Sequence, residues 1–130
     1  MSEEYFVKNS RMVAKFMQLY SQELPRKPKI PCGKTARMRI KLIIEEVWEL
    51  SWAMWKGDLV GIADALCDLL YVVYGMALAY GIPIDKCFRE VHRSNLSKLG
   101  ADGKPIYRAD GKVIKPEGWQ APDLRKVMGI

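Results

Sequence analysis

Glu45-Glu46-Val47-Trp48-Glu49-Leu50, a break at Lys56-Gly57-Asp58, and Asp64-Ala65-Leu66-Cys67-Asp68 decide how this chain folds. Apart from Ser51 and Gly61 the residues between these landmarks are apolar, and none is proline, so each side of the break reads as a helix. At 3.6 residues per turn, Glu45, Glu46 and Glu49 fall within an arc of about 100°, and Asp64 and Asp68 lie one turn apart. A short break makes the two helices antiparallel neighbours. Glu49 lies eight residues before Gly57 and Asp64 seven after it, so the two acidic groups are expected to face each other at similar height.

Carboxylates gathered on inward faces repel one another and are costly to take out of water, so they call for a cation. Oxygen donors suit a hard divalent ion, Mg²⁺ first with Mn²⁺ as a substitute, held among the facing carboxylates of the two helices. An E-E-x-x-E run by itself is ordinarily a solvated face. Here Val47, Trp48, Leu50, Trp52, Ala53, Met54 and Trp55 leave few polar positions, and Leu59 to Leu78 contains no Lys or Arg. These helices are therefore expected to be largely covered, with the tryptophans as packing groups rather than base-stacking platforms, though Trp55 near the turn could serve as either.

Working outward, Phe6, Val7, Met12, Val13, Phe16, Met17, Leu19 and Tyr20 predict a first helix over residues 5–20. Pro25, Pro28 and Pro31 make the next segment an extended basic loop. Thr35 is the expected N-cap of the second helix, and Gly57 its end. Asp58 caps a third helix that closes at Tyr80-Gly81, and Pro83 opens a fourth carrying Ile84, Phe88, Val91 and Leu96. Beyond Leu99, Asp102-Gly103 and Asp110-Gly111 are turn dipeptides beside Ile106-Tyr107 and Val113-Ile114, which predict a short hairpin or an extended arm. The expected fold is all-α: four main helices in an antiparallel bundle completed by dimerisation, with residues 1–100 as the helical domain. Residues 101–130 form an irregular C-terminal arm packed on that domain or on a partner subunit.

The chain has 130 residues and is 49% hydrophobic, which suits one domain with a core. It contains no uninterrupted run of 18 apolar residues and no secretory pattern at its start, which predicts a soluble, cytoplasmic protein with no membrane partner. Cys32, Cys67 and Cys87 are scattered and His92 stands alone, so zinc sites and disulfide frameworks are not expected. The net charge is +6, but residues 1–44 hold ten Lys or Arg against three acids, while residues 45–68 hold six acids against one lysine. Basic groups around a metal site suit a polyphosphate, and Lys34 and Arg39 are candidates to touch one. Either cation has a plain surface reading too. Nucleic-acid binding through Arg26, Lys27 and Lys29 leaves the facing acids unexplained, so no specific nucleic-acid partner is expected.

Glu45-Glu46-x-x-Glu49, Asp64-x-x-x-Asp68 with Tyr71 and Gly75 following, and Asn95-x-x-Lys98, in this order, resemble the all-α nucleoside triphosphate pyrophosphohydrolases over about residues 5–100. That superfamily includes MazG-like enzymes, phosphoribosyl-ATP pyrophosphohydrolase and the dimeric dUTPases. The resemblance implies Mg²⁺-dependent cleavage between the α and β phosphates of a nucleoside triphosphate, by a homodimer or dimer of dimers. It gives Glu46, Glu49 and Asp68 as metal ligands and Glu45 as the catalytic residue that orients water or holds a second ion. It gives Asn95 and Lys98 as substrate contacts. The usual E-x-x-D second motif is broken by Ala65, so Asp64 stands in for that ligand. Alternatives are a hydrolase of phosphoribosyl-ATP or of dUTP and dUDP, or a noncatalytic helical nucleotide-binding or scaffold protein.

Overall fold

The computed structural model describes residues 8–130, and among them the regular structure is helical: α1 Asn9–Leu19, α2 Gly33–Lys56, α3 Leu59–Ala79, α4 Ile84–Leu96 and a short α5 Leu124–Met128. The all-α expectation holds. Phe6 and Val7, counted in the expected first helix, lie outside the described residues. The chain divides into two compact units, one ending at Ile84 and the other Asp85–Ile130.

In the first unit α3 packs against both α1 and α2. Val13 and Met17, one turn apart on α1, are buried with Ala79 of α3, and Leu24, Tyr74, Leu78 and Tyr80 pack around them. The α2–α3 reversal forms as its residues require. Gly57 takes φ 66°, the left-handed conformation in which glycine closes a helix. Its N–H donates to the Met54 carbonyl at 3.1 Å, and the Asp58 N–H donates to the Ala53 carbonyl at 3.0 Å. Asp58 Oδ1 accepts from the Gly61 N–H at 3.0 Å, which caps α3. Small residues let the helices approach: Ala53 and Ala65 are buried, and a Cβ on Gly61 would stand 3.3 Å from that of Ala53. Gly81, at φ 66°, ends α3 against the Lys27 carbonyl of the proline loop, and the Lys29 N–H donates to the Tyr80 carbonyl at 2.9 Å.

Two expectations change. The cap of α2 is Cys32, not Thr35, because no residue after Pro31 prevents the helix from starting at Gly33; the Thr35 hydroxyl instead lies 3.4 Å from Cys32 Sγ inside the first turn. The larger change concerns cover. Trp48, Trp52 and Trp55 are 73%, 59% and 77% exposed, so they are not packing groups within this chain. Each helix spends its small-residue seam on the other, which leaves the bulky side chains facing outward. α3, 21 residues interrupted by Asp64 and Asp68, is long and apolar enough by length and composition to cross a membrane.

In the second unit the arm is tied to α4. The buried Ser94 donates to the Gln120 carbonyl at 2.7 Å, and Arg93 reaches Gln120 Oε1 at 3.3 Å and the Ala121 carbonyl at 3.2 Å. Arg93 also grips Glu90 through Nε at 3.0 Å and Nη2 at 2.8 Å, and Glu90 accepts the Asp123 N–H at 2.9 Å. The expected hairpin is present in miniature, as an isolated Tyr107–Val113 bridge, with a second bridge at Leu99–Pro105.

The Arg93 hydrogen bonds, and next the Asp123 amide, hold the Glu90 carboxyl down at about 2, because each favours the charged form. A carboxylate depressed on folding stabilises the fold above its ordinary pKa of 4.5, and that contribution is lost as pH falls from there toward 2. The docked arm is therefore expected to loosen over that window. The indole resonance of Trp119 followed through an acid titration reads it, and Glu90→Gln should flatten the response; an unchanged titration in that variant would remove the explanation.

Candidate metal centre

Glu46 and Glu49 project from one face of α2 and Asp68 from α3, so the hairpin brings acids from two separate helices to one point. One carboxylate oxygen from each lies within 4.8 Å of the other two. Glu46 and Asp68 are half-buried and Glu49 is exposed. Oε2 of Glu46 is buried and has no hydrogen-bond partner. Burial raises the Glu46 carboxyl above its ordinary pKa, and the charges of Glu49 and Asp68, a hydrogen bond with Glu49 and the charge of Glu45 push the same way.

The cluster is therefore short of positive charge at its inner end. An all-oxygen donor set with one buried, unpartnered oxygen fits a hard divalent cation, and Glu46, Glu49 and Asp68 are the residues that would hold it. Removing one of three mutually repelling carboxylates should stabilise the cation-free protein while weakening cation binding. Glu46→Gln is expected to melt a few degrees higher in EDTA and to gain less from added Mg²⁺ than the parent chain. Thermal unfolding with and without Mg²⁺ checks both signs.

The other sequence candidates are not in this convergent set. Asp64 is exposed, one turn before Asp68, and lines with Glu49, Trp48 and Trp52 an open cavity of about 500 Å³. The Glu45 side chain is 52% exposed, with Lys41 Nζ at 3.8 Å. Lys34 is exposed in the first turn of α2.

Arg39 is not a surface cation: it is 6% exposed, with Nη2 donating to Gln22 Oε1 at 2.9 Å and Nε buried without a partner. Its guanidinium fills a notch at Gly75, where a Cβ would stand 2.7 Å from Nη1. Arg39 precedes Glu46 by seven residues and Gly75 follows Asp68 by seven. The arginine thus occupies the same helix seam two turns away, roughly 10 Å along it. Sequence reasoning did not foresee this notch; the available signal is a glycine one heptad after Asp68. Asn95 and Lys98 belong to the second unit, where Lys98 Nζ donates to Asn95 Oδ1 at 3.1 Å. α4 ends at Leu96, so Lys98 stands just beyond the helix rather than on it.

A family model described as phosphoribosyl-ATP pyrophosphohydrolase matches residues 13–95. The match takes in the whole α2–α3 hairpin with its acids and reaches Asn95, stopping short of Lys98. Uncharacterized protein L479 of Acanthamoeba polyphaga mimivirus is 38% identical over 98 residues, which are 73% of this chain and 36% of the relative. The chain thus spans little more than a third of the length of the curated relative it matches.

Proposed function

Because the chain belongs to the phosphoribosyl-ATP pyrophosphohydrolase family, hydrolases acting on pyrophosphate bonds, we propose that it is an Mg²⁺-dependent nucleoside triphosphate pyrophosphohydrolase. It cleaves the α–β phosphate bond of ribo- or deoxyribonucleoside triphosphates, giving the monophosphate and pyrophosphate. The observation that carries this reading is the convergence of Glu46, Glu49 and Asp68 around a buried carboxylate oxygen without a partner.

Glu46, Glu49 and Asp68 would hold the ion, with Asp64, one turn away, as a further proposed ligand. Once bound, Mg²⁺ supplies the positive charge that triphosphate oxygens need and Lewis acidity toward the α-phosphorus. Glu45, next to the cluster in sequence and open to solvent, accepts a proton as water attacks the α-phosphorus. The bond from that phosphorus to the bridging oxygen breaks, and pyrophosphate leaves with the bond's electron pair. Arg39 raises the potential along the seam from inside, while Lys34, Asn95 and Lys98 are the proposed phosphate contacts.

Incubation with a panel of nucleoside triphosphates and Mg²⁺, with product analysis, tests the reaction. Orthophosphate without pyrophosphate would refute the assigned bond. A second reading, phosphoribosyl-ATP as substrate, is favoured by the family description and belongs in the same panel, together with dUTP and dUDP. The protein is further proposed to be cytoplasmic and to act as a homodimer or dimer of dimers. Ile40, Ile44 and Val47 of α2 and Leu66, Leu70 and Val73 of α3 are exposed in the single chain, and a second copy would cover such residues. Sedimentation velocity at micromolar concentration decides it, and a monomer there would end that proposal.

A further inference from the structure

Trp48, Trp52 and Trp55 stand at i, i+4 and i+7 on α2, so one stripe of the helix presents three indoles to solvent. Trp52 and Trp55 stack with centroids 5.1 Å apart and planes at 21°, and Lys56 Nζ sits 5.8 Å from the centre of the Trp52 ring. Large aromatic faces left in water forgo their main source of stabilisation, so such a stripe is suited to meeting another planar surface. Trp48 and Trp52 line the open cavity of about 500 Å³ together with the small residues Ala53, Gly61 and Ala65. Among these, Gly61 has no room for a Cβ, which would meet Asp58 Oδ2 at 2.5 Å. The cavity also includes Glu49, a member of the carboxylate cluster. A flat group lying here would thus have the metal centre beside it, on the Glu49 side.

We propose that this cavity is the subsite for the base of the nucleotide, with Trp48 and Trp52 as stacking platforms and Lys56 as the nearby donor for base heteroatoms. Its size suits a nucleoside, and indole–base stacking accepts any base because every base offers a π face. The orientation of the ligand, with base at the tryptophans and phosphates at the acids, rests on the pyrophosphohydrolase reading. Stacking itself does not depend on turnover.

The test separates the two. In EDTA, titrating the full chain with adenosine, guanosine, cytidine and uridine is expected to quench tryptophan fluorescence saturably, and Trp52→Ala should abolish most of that change. Trp52→Phe, which keeps an aromatic platform, should retain nucleoside binding when followed by the Trp48 resonance. With Mg²⁺, Trp48→Ala and Trp52→Ala should raise the KM for nucleoside triphosphates about tenfold and lower kcat less. The inhibition constant of inorganic tripolyphosphate, which has no base, should not move. If nucleosides bind in this way while no triphosphate is cleaved, the subsite stands and the hydrolase reading falls. If cleavage proceeds with an unchanged KM in both alanine variants, the subsite is refuted. It is refuted equally if nucleosides leave the indoles undisturbed and Trp52→Ala splits an oligomer, since a second copy would then be what covers the stripe.

Discussion

Glu49→Gln or Asp68→Asn is expected to lower the rate of pyrophosphate release from a nucleoside triphosphate by at least about 100-fold at fixed Mg²⁺. Each change keeps the volume of the side chain and removes one of three convergent anionic donors. The two that remain no longer supply the charge a dication needs in place of its water shell. Part of the loss should return at tenfold higher Mg²⁺, because the defect lies in holding the ion. Asp64 stands outside the convergent set, and Asp64→Asn is expected to cost about tenfold or less. Initial rates across a Mg²⁺ series distinguish the cases. Full activity in Glu49→Gln would remove the carboxylate cluster from the chemistry, and an Asp64 effect as large as that of Asp68 would show a four-ligand site.

Gly81→Ala should destabilise the first unit by about 2–4 kcal/mol, the sum of a left-handed backbone cost and an overlap with the chain beneath. Gly81 has φ 66°, and an added Cβ would run into the Lys27 carbonyl, part of the backbone rather than a side chain that can swing away. Relieving the overlap strains the hydrogen bond from the Lys29 N–H to the Tyr80 carbonyl, so the proline loop should loosen together with the end of α3. Gly57→Ala is the control. Its φ is also 66°, yet nothing lies within 4 Å of the added atom. Only the backbone cost of about 1–2 kcal/mol then applies. Urea midpoints of the two variants measure the difference, and equal losses would mean that the loop contact contributes nothing.

Why some of this is readable in the sequence and some is not follows from the range of each interaction. The reversal at Gly57-Asp58, the end of α3 at Gly81 and the end of α1 before Pro25 are set by nearby residues and form as expected, whereas α1 begins only at Asn9, after Lys8, and not at residue 5. The convergence of Glu46 and Glu49 with Asp68 is also accessible, because helical spacing and a short turn fix most of the geometry. Asp64 illustrates the limit: spacing places it near the right height, but one turn of helix separates it from the point where the others meet. Cover escapes the sequence because periodicity reports which residues share a face, not whether the chain itself supplies the other surface. The burial of Arg39 depends on Gln22 and Gly75, both distant in sequence, and the clasp of α4 on the arm depends on Glu90 and Arg93 finding residues 120–123. No local pattern announces pairings of that kind.

The reversal between α2 and α3 also constrains how this gene can vary. Exposed loops ordinarily tolerate insertions. Here the N–H groups of Gly57 and Asp58 close the last turn of one helix while the Asp58 carboxylate opens the next, so the link has no slack residue. One added codon must either undo a cap or pass about 1.5 Å of rise and about 100° of rotation into α3, turning Asp68 away from Glu46. The tip of this hairpin is thus a gauge block for the site, and its length should prove far less mutable than its exposure suggests.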